Sequence, residues 1–296
     1  MADYILSCCS TADLTRAQFE ARDIRFICFH YMLDGKTYDD DLGKTISPAD
    51  FYKAMANGAD TSTSQVNIAE YTDYFEKLLA EENKDILHIG FSSGLSGSCN
   101  SARQAAEAVM EAHPDRKITV VDSLAAASGF GLLMDELADR RDAGASFEEL
   151  TAWAEANKLR MHHWFFSTDL TFFIKGGRVS KTSGTIGMLL GICPLLNVDF
   201  EGHLIARAKI RGKKKVIEAI VERMEQHAEG GLDYTGKCYI SHSACMEDAR
   251  AVADLVEAKF PHLNGKVEIY DIGTTIGSHT GPGTVALFFW GDERKD

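Results

Sequence analysis

Three short stretches carry hydroxyl, amide and imidazole groups beside glycines: Thr63-Ser64-Gln65, Ser92-Ser93-Gly94-Leu95-Ser96-Gly97-Ser98 and Ile276-Gly277-Ser278-His279-Thr280-Gly281-Pro282-Gly283. Such side chains donate hydrogen bonds without a fixed charge, and glycine lets a ligand approach the backbone, so the set suits an anionic group such as a carboxylate or phosphate. The second stretch lies between an apolar run, Ile86 to Phe91, and a helical pattern from about Asn100 to Ala112. It therefore falls on a strand-to-helix turn, where unpaired N–H groups and a partial positive charge gather. The same residues also suit a plain turn, with Ser96 or Ser98 as helix cap. His279 reads as a loop residue held between glycines and a proline, either structural or able to donate a hydrogen bond or act as a base.

The elements that must position these groups follow from the periodicity. Tyr4 to Cys8 and Ile24 to Phe29 are apolar strand candidates, and Asp34 to Asp41 reads as an exposed hairpin or loop whose acidic triplet has no further ligand spacing for a metal. Ser47-Pro48-Ala49-Asp50 starts one helix, and Asn67 with Glu70 starts another that runs to about Leu79. Thr63 to Gln65 thus lies just ahead of a helix, in the same style as the serine turn. Two such turns on consecutive units of a parallel sheet would converge at the carboxyl ends of the strands. Lys117 to Asp122 is a further strand, the small residues Ser123 to Gly131 open a helix, and Ser146 with Glu149 caps the next. Strands alternating with helices make the first part, residues 1–157, a doubly wound α/β domain with a parallel sheet.

Residues 158–296 read as a second, α+β domain. Aromatic segments (Trp164 to Phe166, Phe172 to Ile174) precede Lys175-Gly176-Gly177-Arg178, and Thr182 through Leu196 reads as a helix ahead of a strand. Val198 to Lys209 forms a hairpin around Glu201-Gly202, leading to a helix from Val216 to Ala228. Strand, helix and strand follow at Lys237 to Ser241, Glu247 to Lys259 and Val267 to Ile272, with a last strand from Val285 to Trp290. Arg207, Lys209, Arg211, Lys213, Lys214 and Lys215 crowd together without an acid among them. They serve either as a solvated face or as a dock for an acidic or phosphorylated partner.

Composition narrows the classes. With 296 residues, 45% hydrophobic and 25% charged, the chain reads as an ordinary globular protein of two domains. No apolar stretch approaches the ~20 residues of a bilayer span and no basic leader precedes one, so stable membrane insertion is not expected and the cytoplasm is the expected location. Seven scattered cysteines fit reduced, buried thiols, the Cys8-Cys9 pair included. A net charge of −13 disfavours nucleic-acid binding.

Six stretches taken together, in order and across nearly the whole chain, resemble the DegV family. They are Thr63-Ser64-Gln65, Ser92 through Ser98, Val121-Asp122-Ser123, Lys175-Gly176-Gly177-Arg178-Val179-Ser180, Lys209 through Lys215 and Ile276 through Gly283. The chain departs from the family pattern at Cys8-Cys9-Ser10, where an acid usually precedes the serine, at Val66 after Gln65, and at Ser98-Cys99.

The resemblance implies a cytoplasmic lipid carrier that is not itself an enzyme and uses no cofactor. A long-chain fatty acid would thread into a tunnel lined by residues such as Phe165, Phe172, Leu189 and Ile192. Its carboxylate would lie at the domain interface, held by Thr63, by Ser93 or Ser96 with neighbouring backbone N–H groups such as that of Gly97, and by His279. Arg178, Arg207, Lys209 and Arg211 would face an ATP-dependent fatty acid kinase subunit that phosphorylates the bound carboxylate to an acyl phosphate. The rival is a subunit similar to the substrate-binding part of dihydroxyacetone kinases, with a short polar pocket and His279 as its covalent or basic group.

Overall fold

The computed structural model describes residues 2–179 and 191–295. β1 (Tyr4–Cys9) is buried along its whole length, as a strand covered on both faces must be, and places Cys8 and Cys9 among apolar neighbours. β2 (Ile24–Ile27) pairs parallel with it. The chain then leaves this sheet as β3 (His30–Leu33) and β4 (Lys36–Asp39), an antiparallel hairpin turning at Asp34-Gly35. Both turn residues have positive φ, which is what Asp-Gly supplies in a two-residue hairpin.

β5 (Thr61–Ser64) joins the free edge of β3, giving a small sheet ordered β4-β3-β5. This differs from the parallel strand-helix unit expected around Thr63. The β-branched Thr61 and Thr63 extend instead along an open antiparallel edge. β6 (Asp85–Gly90) and β7 (Ile118–Asp122) complete a parallel sheet ordered β2-β1-β6-β7. The helices of this half begin where the caps dictate: Ser47 accepts from Asp50 N–H, and Asn67 and Ser146 each form full capping boxes, with Glu70 and Glu149.

β8 (Met161–Ser167), β9 (Ile192–Val198), β10 (Leu204–Arg211), β11 (Tyr239–His242), β12 (Glu268–Asp271) and β13 (Thr284–Trp290) form the third sheet, ordered β10-β9-β8-β13-β11-β12. It is antiparallel except for β11 with β12. Most of the helix expected over Thr182 to Leu196 lies outside the described residues, and its last part, from Ile192, is β9. The hairpin expected around Glu201-Gly202 is β9 and β10, and the helix after it begins earlier than its apolar face suggests, at Lys213.

Helix Ala127–Asp142 packs against β8, β11 and β13, and one continuous apolar core runs from Leu6 and Phe130 through Phe165 to Phe288. Among the described residues no helix is long and apolar enough to cross a membrane.

The stretch around His279 is helical, not a loop: helix Thr274–Thr280 ends at Gly281, whose φ of 64° stops it. Its N-terminus is capped from far away. Asp40 accepts from Thr274 Oγ1 at 2.9 Å and from the Thr275 N–H at 3.3 Å. A capping carboxylate that distant leaves no local signal.

Candidate ligand cavity

Three elements bring the polar residues together. β5 carries Thr63, the turn after β6 carries Ser93, Ser96 and Gly97, and the last turn of helix Thr274–Thr280 carries His279. All five line one cavity of about 500 Å³, together with Ser64, Gln65, Thr275 and Thr280. Apolar side chains form most of the remaining wall, among them Phe29, Phe91, Leu95, Phe173 and Phe288, and both halves of the chain contribute. That volume suits a ligand of drug or lipid size, and the lining suits one that is largely apolar with few polar atoms.

The centre of the polar side is a 2.7 Å hydrogen bond between Thr63 Oγ1 and His279 Nε2. The second imidazole nitrogen, Nδ1, is buried without a partner and rests against Gly176, where a Cβ would overlap it. A buried N–H without an acceptor is costlier than a buried lone pair, so the hydrogen belongs on Nε2. Nε2–H then donates to the Thr63 oxygen, and the Thr63 hydroxyl hydrogen is free to point into the cavity. Burial, and secondarily the Arg178 guanidinium, push the His279 pKa down to about 4, so the ring is neutral at pH 7.

Most N–H groups of the serine turn are already used. Ser93 N–H donates to Asp122 Oδ1 (3.2 Å), Gly94 N–H to Ser92 Oγ (3.2 Å), and those of Leu95 and Ser96 to the Ser92 carbonyl (both 3.1 Å). Ser96 Oγ accepts from Ser98 N–H at 3.2 Å, which leaves its own hydrogen available. Neither Ser96 nor Ser98 is the helix cap: that position is Gly97, with no side-chain bond. Among the described residues the Gly97 N–H has no hydrogen-bond partner, and a Cβ at Gly97 would sit 2.6 Å from Gln65 Oε1, so the amide of the first stretch touches the second.

The other expected positions separate. Phe165 lines the cavity and its ring stacks on Phe173 at 5.8 Å. Phe172 does not line it, because successive residues of the short helix Thr171–Lys175 face different ways. It packs against Tyr31, Phe51, Tyr52 and Met55 instead. Ile192 begins β9 opposite Arg211, away from the lining, and Leu189 lies outside the described residues.

Arg178 is half-buried in the cavity wall; it donates to the Gly176 carbonyl, and burial lowers its pKa. No carboxylate pairs with it among the described residues. Arg207 is half-buried, its Nε donating to Asn197 Oδ1 at 2.8 Å. Lys213 pairs with Asp248 at 2.9 Å, which leaves Lys209, Arg211, Lys214 and Lys215 exposed and without ion pairs among the described residues.

Several lining residues carry little sequence signal. Phe173 sits one residue from the expected Phe172. His163 enters because β8 alternates sides; its Nδ1–H donates to the Met161 carbonyl (3.1 Å) and its Nε2 accepts from Ala126 N–H (3.3 Å). Thr275 Oγ1 is buried without a partner at the cavity wall. The small residues Ala126 and Ala127 line the cavity at the start of their helix, where bulk would close it.

Three sheets around a cavity that is hydroxyl- and imidazole-lined on one side and apolar elsewhere make this an α/β ligand-binding architecture. Within that class the chain belongs to the DegV family. The family model described as "Uncharacterised protein, DegV family" matches residues 9–292. A DegV domain-containing protein of Clostridium perfringens is 35% identical over 295 residues, covering 100% of both chains. Among solved structures, a fatty-acid-binding DegV family protein from Thermus thermophilus superposes with a TM-score of 0.86 at 26% identity, over 98% of this chain and 99% of that one. A Thermotoga maritima protein with fatty acid binding function superposes with a TM-score of 0.82 at 26% identity, over 99% and 100%.

Proposed function

We propose that this chain binds one long-chain fatty acid, its carboxylate on the Thr63, Ser93, Ser96, Gly97 and His279 side of the cavity and its alkyl chain among Phe91, Phe165, Phe173 and Phe288. The observation that carries the reading is the coexistence of a free Thr63 hydroxyl hydrogen, oriented by a neutral His279, with an apolar wall built from both halves of the chain. The names of the Thermus and Thermotoga neighbours support the same ligand class. About 15 buried methylenes contribute roughly 12 kcal/mol gross, at ~0.8 kcal/mol each. The immobilisation cost of 4–15 kcal/mol offsets much of that, so the charge-assisted bonds at the carboxylate decide affinity.

The Arg178 guanidinium supplies the positive potential that neutral hydroxyls lack. One carboxylate oxygen held by Thr63 and the serine turn leaves the other free to attack a phosphoryl donor. The chain therefore acts as a carrier, and an ATP-dependent kinase subunit performs the transfer. The exposed Lys209, Arg211, Lys214 and Lys215 fit an acidic face of that subunit, in a chain whose net charge is otherwise −13. The apolar wall disfavours the small polar substrate of the rival reading.

Native mass spectrometry of the purified chain, followed by denaturing extraction, tests the ligand. One fatty acid per chain is expected, lost when Thr63→Ala and His279→Ala are combined. A ligand-free protein that also takes up no added fatty acid would overturn the proposal.

A further inference from the structure

On the face of the third sheet opposite the cavity, three side chains from distant parts of the chain converge. β8 alternates at His162 and His163: His163 faces the cavity, and His162 faces the C-terminal end of helix Lys213–His227. The donor atoms of His162, His227 and Asp292 all lie within 4.8 Å of one another. Asp292 Oδ1 is 3.0 Å from His162 Nε2 and 3.2 Å from His227 Nδ1. At Zn–N and Zn–O bonds of 2.0–2.1 Å, two ligand atoms of a tetrahedral site are roughly 3.3 Å apart.

The arrangement is held from several sides. The His162 ring stacks on Phe289 (5.2 Å, 2° between planes) and on His227 (5.0 Å, 22°), and His227 also stacks on Trp164 (5.7 Å, 20°). Gly291 lets the backbone pass close by, since a Cβ there would overlap the His227 carbonyl and come within 2.8 Å of His162 Cδ2. Asp292 N–H donates to the His227 carbonyl at 3.0 Å, and the Gly291 N–H to that of Arg160 at 2.9 Å. Two residues further on, the buried Arg294 guanidinium donates to the carbonyls of Asp199 (2.9 Å) and Leu124 (3.0 Å). The Asp292 carboxylate thus hangs between two fixed points.

We propose that His162 Nε2, His227 Nδ1 and one Asp292 carboxylate oxygen form a divalent transition-metal site, best suited to Zn²⁺, that clips the segment after β13 to the third sheet. Two imidazoles and a carboxylate are borderline ligands of the kind zinc prefers, and the exposed Asp292 leaves a fourth position to water. His162 Nε2–H donates to the Asp292 carbonyl (2.9 Å); on ligation the hydrogen would move to Nδ1 and the metal would replace that bond. The site does not depend on the fatty-acid reading.

Zinc calorimetry, metal analysis and thermal denaturation of tag-free, chelator-dialysed chain test it. One Zn²⁺ per chain is expected, with a Tm that rises with free zinc. His227→Ala, at a half-buried position, and Asp292→Asn, at an exposed one, each weaken binding by about tenfold or more while fatty-acid uptake is unchanged. Three results would overturn the proposal: no saturable binding at one equivalent, binding in both variants equal to the parent's, or loss in His203→Ala instead. His203 belongs to the other convergence of such groups, with Asp199 and Glu201.

Discussion

At His279 two effects act in the same direction: burial removes water from the imidazolium, and the nearby Arg178 cation disfavours it further. Arg178→Ala removes the second. The His279 pKa, followed by NMR titration of the ligand-free protein, is expected to rise from about 4 while staying below the ordinary ~6.5, since burial is the larger cause. The same variant weakens fatty-acid binding by about tenfold, the loss of one charge-assisted contact. Gly176→Ala tests the neighbouring constraint. Its Cβ would overlap His279 Nδ1, so the ring is pushed off Thr63. Ligand affinity measured by calorimetry should fall by roughly tenfold or more, with a much smaller change in Tm, because the backbone at Gly176 is ordinary helical conformation (φ −74°).

At the scale of elements, the tip of the β9–β10 hairpin lies on the serine turn. Ser92 Oγ donates to the Gly202 carbonyl at 2.9 Å, and Gly202 itself has φ +82° with no room for a Cβ beside Ser92. Gly202→Ala is therefore strained twice and displaces the turn that carries Ser93 and Ser96. Both stability and ligand affinity should drop, the former by about 1–3 kcal/mol in urea unfolding. Asn67→Ala is the contrasting case. It deletes a capping box at helix Ile68–Glu82 and should cost about 1 kcal/mol of stability, leaving a fatty-acid affinity within twofold of the parent.

For the whole molecule, acid sensitivity follows from imidazoles buried neutral. His88, in the core between β1 and β7, has its pKa pushed down to about 3 by burial, against an ordinary ~6.5 in the unfolded chain. The unfolded state thus binds a proton the native state refuses, and this contribution is fully present above about pH 6.5 and lost as pH falls toward 3. Buried Asp13 and Asp40 act in the opposite sense, since burial raises their pKa values and their native carboxyls hold protons to higher pH. Comparison with His88→Gln isolates the imidazole. Between about pH 4 and 6 the variant's stability, from urea unfolding, should fall less steeply than the parent's, by ~1.4 kcal/mol per pH unit. Equal slopes would mean that His88 is protonated in the native state.

How much of this was readable from residues alone depends on whether the signal was local. Caps at Ser47, Asn67 and Ser146, the apolar strands β1 and β6, and the serine-glycine turn before helix Ser98–Ala112 are all written within a few neighbouring residues, and each lies where its pattern places it. The motif order was equally legible, and with it the family. Whatever depends on residues distant in sequence was not. The helical state of the His279 segment comes from Asp40, 234 residues before Thr274, and the antiparallel setting of Thr63 comes from the free edge of β3. Phe173 in place of Phe172 as a lining residue, and Arg178 in the cavity wall, follow from how a five-residue helix is rotated against its neighbours. Side-chain types and periods belong to the chain itself, because capping and strand pleating act over one to four residues. Which hydroxyl meets which imidazole, and which face of β8 lines the cavity, is decided only when sheets from both halves close on one core.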